Sequence, residues 1–399
     1  MNPRAVTGLG ILSTLGIGRE GFFAAMQGAG PEGPTAGEGA PRAALTSFDA
    51  TAYPDANVAE VPDFEAARYL GDKGIRTLDR LTKLLIVAAR LALHDAGYKN
   101  ERRGAAAADN AFLVSSPARV GLVCSNAYGS LEAITELDRV ATLEDARYIN
   151  PAKFPNTVSN SAAGYVSIWE DLRAMNVSVS DGNCGGLDAV ACADIYLETG
   201  RADALLVGGA ESMSEALYLA FHKLGAFDHA TRIGEAAVLM MIEPSAHAQA
   251  RGARVLGEIV GYGTAFVGPE RDAQLIHASG PAMERAIAAA LDDAGVRGDE
   301  IDVVASGVSG LRAFDDVELA AIARVVGSDA GVVAPKLRFG ETLGAGGAMG
   351  IAATLAWLGG TPIGPLVHGS VRANVRTALV TAMGFYGNAS AVVVRAGTF

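Results

Sequence analysis

The chain of 399 residues is half hydrophobic, 19% charged and carries 49 glycines, so it can bury a large core over two or three domains and is neither disordered nor fibrous. Its net charge of −12 argues against a nucleic-acid surface. Three scattered cysteines, Cys124, Cys184 and Cys192, lack the paired short spacings of a disulfide framework or a zinc site, so no metal and a reducing cytoplasm are expected.

A glycine-broken apolar run from Ala5 reads as a first strand, with no signal-peptide pattern. Residues 28–44 and 98–117 read as surface loops. A helix is predicted over 75–96, and Lys73, Arg76, Arg80 and Lys83 recur at helical spacing around its start. On an acidic chain that stripe is either a dock for an acidic partner or a solvated helix face. Strands are predicted over 119–125, 204–210, 236–243, 255–263, 301–307 and 378–384, and helices over 187–198, 273–294 and 315–326. Short apolar runs bounded by glycine thus alternate with longer helical patterns, the pattern of an α/β protein with buried parallel strands and crossover helices. The alanine-rich segment 244–254 is the natural divide. The charge-free stretch 342–367 is long enough to span a bilayer, but its glycines with Pro362 and Pro365 interrupt it, and no membrane segment is expected. Neither glycine run, 8–16 or 340–347, has the spacing of a phosphate-cradling loop, which leaves no sign of a nucleotide cofactor.

Cys184 lies in SDGNCGG, between a strand-like run containing Val177 and Val179 and a helix beginning near Gly185. A helix N-terminus favours a thiolate, and two following glycines let a thioester approach the backbone. The reading is a reactive cysteine, accessible and labelled faster than Cys124 or Cys192. The competing reading is a buried small hydrophobe.

Five blocks in order, residues 5–16, 154–184, 202–213, 336–350 and 384–394, resemble the β-ketoacyl synthase family of the thiolase superfamily. The resemblance implies a thiolase fold: two similar βαβαβαββ-type halves, 1–246 and 247–399, in a layered α/β/α/β/α sandwich. It also implies a nucleophile at Cys184, supporting residues Lys336 and Glu318, a gate at Phe385 with Met383, and an oxyanion hole made by the backbone N–H groups of Cys184 and Phe385. The partners implied are an acyl carrier protein, with the substrate on its phosphopantetheine and docked on Lys73, Arg76, Arg80 and Lys83, and a second subunit. That subunit is a copy of the chain or a ketosynthase, meeting the segment 165–179, where the edge of 177–180 would otherwise be unpaired. The chain departs from the family where two catalytic histidines are due: Ser306 and Glu341 stand there. His94, His222, His229, His247, His277 and His368 all lie elsewhere. The segment 225–243 is also abbreviated.

A carboxylate at Glu341 would oppose a malonyl carboxylate within about 4 Å by on the order of 1–4 kcal/mol, so decarboxylative elongation is disfavoured. Glu341 could instead act as a general base for another acceptor, or pair with Lys336 or Arg338 in an idle pocket. Ser306 could contact a thioester or simply bond its own backbone. Two functions follow. In the first, an acyl group is loaded on Cys184 from a carrier-protein thioester and transferred or condensed with help from Glu341 and Ser306. In the second, the chain is a non-catalytic partner resembling a chain-length factor, paired with an active ketosynthase.

Overall fold

A computed structural model describes the chain except residues 28–44, 50–52, 54–57, 101–110, 224–231, 270–275, 361–363 and 398–399. One continuous sheet organises it. In the first half its strands are β1 (Arg4–Ser13), β2 (Val120–Ser125), β3 (Asn176–Val179), β4 (Ala204–Glu211) and β5 (Ala236–Pro244). The second half holds β6 (Gly257–Phe266), β7 (Val303–Ala305), β8 (Val332–Val333), β9 (Leu366–His368), β10 (Thr377–Met383) and β11 (Asn388–Arg395).

The spatial order is β1-β5-β4-β2-β3 in one half and β6-β11-β10-β7-β8 in the other, with β9 added beyond β8. Each half therefore runs first, fifth, fourth, second, third. The pairing directions match too: the first two steps are antiparallel, the last two parallel. Antiparallel pairing of Arg4–Val6 with Gly257–Ile259 joins the halves. The duplication that no tandem repeat betrays in the sequence is explicit in the topology.

Helices cover both faces, so β1, β2 and β4 are buried along their whole length and read as unbroken apolar runs instead of alternating ones. Outside the first half lie α1 (Arg80–Asp95) and α2 (Ser161–Glu170). Between the two sheet faces lie α3 (Gly185–Glu198) and, in the second half, α6 (Gly346–Trp357). Outside the second half lie α4 (Gly280–Ala294) and α5 (Arg312–Val325). The result is the five-layer α/β/α/β/α sandwich. Every residue of α6 is buried, which explains the charge-free stretch: a helix surrounded by protein is apolar all round. Among the described residues no helix is long and apolar enough to cross a membrane.

The two central helices touch where glycine permits it. A Cβ on Gly186 would fall 2.7 Å from the Ala348 nitrogen, and one on Gly347 would fall 2.7 Å from Leu187 Cγ. Backbone contact of this kind holds both helix starts against each other.

Some boundaries differ from expectation. The helix predicted from residue 75 starts at Arg80, because Asp79 caps it by accepting from the Thr82 N–H at 2.7 Å. Helix α4 starts at Gly280, where Ser279 accepts from the Ala282 N–H; residues 273–275 of the expected helix lie outside the described residues, as do 28–44, 101–110 and His229. Tyr98, expected on a surface loop, is fully buried with its hydroxyl 3.2 Å from Glu243.

Candidate active site

Cys184 closes a short 3₁₀ turn, Gly182–Cys184, and is followed directly by α3. The turn packs against a second 3₁₀ turn, Leu343–Ala345, which leads in the same way into α6. Two turn-to-helix junctions, one from each half, therefore meet at the centre of the molecule.

At the first junction the expectation of an accessible, thiolate-prone cysteine is overturned. Cys184 is 0% exposed. Its thiol donates to the Ala382 carbonyl at 3.3 Å, and its pKa is pushed well above the usual thiol range by burial and then by Asp188 and Asp181, against smaller help from Ser390 and Lys336. Asp188 stands one helical turn after Cys184, on the same face, and accepts from Ser390 Oγ at 2.6 Å and Tyr262 Oη at 2.7 Å. Burial and a hydrogen bond to Asp181 raise its pKa to about 7. The Cys184 N–H, expected in an oxyanion hole, donates to the Asp181 carbonyl at 3.1 Å.

At the second junction Lys336 and Glu341 form a buried pair. Lys336 Nζ donates to both carboxylate oxygens at 2.8 and 2.9 Å, and the Leu343 N–H adds a bond of 2.9 Å. Of the two pairings open to Glu341 in the sequence, Lys336 is the one formed; Arg338 keeps a buried Nη1 without a partner among the described residues, and burial lowers its pKa. Glu318 accepts from the Gly307 N–H at 2.7 Å and Thr381 Oγ1 at 2.6 Å, and burial raises its pKa. Ser306 is buried, and its hydroxyl donates to the Val333 carbonyl at 3.1 Å. The partner is not the serine's own turn but the neighbouring strand β8, 27 residues on.

Phe385 meets Phe314 and Phe221 edge to face at centroid distances of 5.2 and 6.0 Å, within an apolar cluster that includes Leu343 and Met213. Met383, expected beside it, packs instead into the core under α4 and α5; it is the last residue of β10, and Phe385 lies beyond the strand, in the loop that leads to β11. His277 ties down the loop that carries Phe385: its backbone N–H donates to the Phe385 carbonyl at 2.9 Å.

The four basic residues do not share one helix face, since Lys73 and Arg76 precede α1. Arg80 is bound inward, bidentate to buried Glu235 at 2.6 and 2.7 Å and 3.5 Å from Glu60. Arg76 and Lys83 line a surface cleft of about 300 Å³ with Lys153, Glu132 and Glu136. At the sheet's end, β3 pairs only with β2 among the described residues, and Ile168 on α2 is 76% exposed.

Sequence reading missed Asp181, Asp188, Tyr262, Ser390 and Glu211. Only Asp188 had a signal, its position four residues after Cys184 on a predicted helix. Glu211, fully buried, accepts from the Ala127 N–H at 2.7 Å and the Gly344 N–H at 3.3 Å, and burial raises its pKa to about 7.

Comparison with known proteins agrees with this geometry. A sequence profile described as "Beta-ketoacyl synthase, N-terminal domain" matches residues 3–248, and one described as "Beta-ketoacyl synthase, C-terminal domain" matches 256–370. The 3-oxoacyl-(acyl-carrier-protein) synthase 2 of Vibrio cholerae is 29% identical over 386 residues, 91% of this chain and 87% of that protein. The tetracenomycin polyketide synthase ketoacyl synthase beta subunit of Streptomyces glaucescens is 29% identical over 431 residues, 98% of each chain. Among solved structures, the ishigamide ketosynthase/chain length factor superposes with a TM-score of 0.85 at 24% identity, covering 99% of both chains, a likeness of fold.

Proposed function

The chain belongs to the β-ketoacyl synthase family, and from that premise we propose that it is a ketosynthase-like subunit of fatty-acid or polyketide assembly that pairs with an active ketosynthase and does not itself decarboxylate a malonyl donor. The observation that carries the reading is the Lys336–Glu341 pair. Decarboxylation needs donors aimed at the enolate that forms, and losing one such donor costs roughly 10²-fold or more. Both positions that would supply them are committed elsewhere: Glu341 is an acceptor held by Lys336, and Ser306 gives its proton to Val333. The aromatic group around Phe385 suits a wall of a shared chain pocket, and the open edge of β3 with the adjoining α2 suits a subunit contact. The kinship with an acyl-carrier-protein synthase supports a carrier protein as the bearer of the chain, on phosphopantetheine, docked near Lys73, Arg76 and Lys83.

A second reading keeps one observation of its own: a cysteine stands at a turn-to-helix junction beneath the gate phenylalanine. In that reading Cys184 takes an acyl group from the carrier thioester, with Glu341 and Ser306 assisting its transfer. Co-expression with a neighbouring ketosynthase, followed by intact-mass analysis after incubation with acylated carrier protein and by release of labelled carbon dioxide from malonyl carrier protein, separates the two. A mixed dimer whose partner alone is acylated is expected. Carbon dioxide release by this chain alone at the rate of an ordinary synthase would overturn the proposal, and a mass gain lost in Cys184→Ala would replace it with the second reading.

A further inference from the structure

Both ends of the loop between β10 and β11 rest on the turn that carries Cys184. At one end the Ala382 carbonyl accepts from the thiol at 3.3 Å and the Met383 carbonyl from Asn183 Nδ2 at 3.5 Å; at the other, Asn388 Nδ2 donates to the Asp181 carbonyl at 3.5 Å. Phe385 stands between those ends. Its backbone is tied to the chain before α4, since the Phe385 carbonyl accepts from the His277 N–H at 2.9 Å and the Gly387 N–H donates to the His277 carbonyl at 3.1 Å. Its ring meets Phe314 edge to face at 5.2 Å, with the two planes at 84°. Exposure rises outward in the same order: Cys184 is 0% exposed, Phe385 is 8% exposed, and Phe314 is half-buried. Phe314 is the fixed member of the pair. It stands in the first turn of α5, and two carboxyl groups of that helix sew down the loop leading into it: Asp315 accepts from the Ser309 and Gly310 N–H groups at 3.1 and 2.8 Å, and Glu318 from the Gly307 N–H at 2.7 Å. A loop residue is thus clasped by a helix residue, and edge-to-face rings hold each other beyond the area they bury.

We propose that Phe314 is a latch: it clasps Phe385 in the closed position and so denies a thioester to Cys184. The proposal deepens the reading of the chain as a subunit that is not itself acylated, and rests on it. Phe314 touches neither the sulfur nor its turn through any hydrogen bond, so it acts through Phe385 and is a positioning residue. Without its ring the loop keeps its backbone bonds to His277, but Phe385 loses the contact on its outer side, and the loop stands open a larger share of the time. A fully buried thiol is alkylated only from an open state, so its rate of alkylation follows that share.

The test is the rate of iodoacetamide alkylation at Cys184 in the full-length chain at a single pH, read by peptide mass spectrometry. Phe314→Ala should raise the rate about tenfold, and Phe385→Ala, which removes the moving member, at least as much. The double variant should label no faster than Phe385→Ala alone, because a latch acts only through what it holds. Phe314→Leu keeps the apolar contact without the ring, should give a smaller rise, and serves if Phe314→Ala fails to fold. Buried Cys124 is the internal control. Unchanged labelling of Cys184 in the Phe314 variants, a double variant faster than Phe385→Ala, or a parallel rise at Cys124 that marks general loosening would overturn the proposal. Carbon dioxide release is measured on the unaltered chain and does not depend on these ratios, so the failure of this inference and that of the proposed function can be told apart.

Discussion

The two junctions at the centre of the molecule have the same build and opposite electrostatics. In each a 3₁₀ turn runs into a helix that opens with two glycines, Gly182–Cys184 into α3 and Leu343–Ala345 into α6. At the first, burial pushes a thiol's pKa well up, with Asp188 and Asp181 adding to it. At the second, a lysine donates to both oxygens of a buried carboxylate. The comparison teaches that a shared backbone frame fixes where side chains meet, while the charge placed beside each decides its chemistry.

The sharpest way to break the comparison is to remove the cation at the second junction. Lys336→Met leaves Glu341, 2% exposed, as an unpaired buried charge and should cost about 3–5 kcal/mol in denaturant unfolding. Lys336→Met with Glu341→Gln should recover most of that loss, and a double variant as unstable as the single one would show that the pair does not act as a unit.

Next in size is a pH effect at Glu211, which ties the second junction to the loop after β2. Its pKa in the fold, about 7, lies above the ordinary glutamate value of 4.5, so the folded state binds the proton more tightly than the unfolded one. Its contribution is present below about pH 4.5 and is lost as pH rises through about 7, by on the order of 3 kcal/mol. Thermal unfolding should show stability falling from pH 5 to 8, and Glu211→Gln should flatten that fall. An unchanged slope in the variant would place the ionisation elsewhere.

The smallest effect separates structure from catalysis at Ser306. Ser306→Ala removes one hydrogen bond to Val333 and should cost about 1 kcal/mol. Acylation and assembly with a ketosynthase should not change. A large loss of either with little loss of stability would return Ser306 to the working site.

Much of this was legible in the chain. Strands such as residues 119–125 and 236–243 were readable because two-sided burial writes unbroken apolar runs, and α6 announced itself by the absence of charge over 342–367. The junction at Cys184 was visible from its motif, whereas the reading of Ser306 and Glu341 as standing at histidine positions came only from the family resemblance. The helix start at Arg80 was missed because one cap, Asp79, outweighs five residues of helical periodicity before it.

What the sequence determined by itself is the frame: the alternation of strands and helices, the place of Cys184 and Glu341 in it, and the family they belong to. What only the tertiary structure decided is the company each keeps. Asp188 receives its protons from Tyr262, 74 residues away, and Ser390, 202 away, and Arg80 turns inward to Glu235, 155 away. Periodicity reports which face of an element is buried, a property of neighbours along the chain. Ionisation depends on burial and on charges within a few ångströms, and those distances are set only when distant strands are brought side by side.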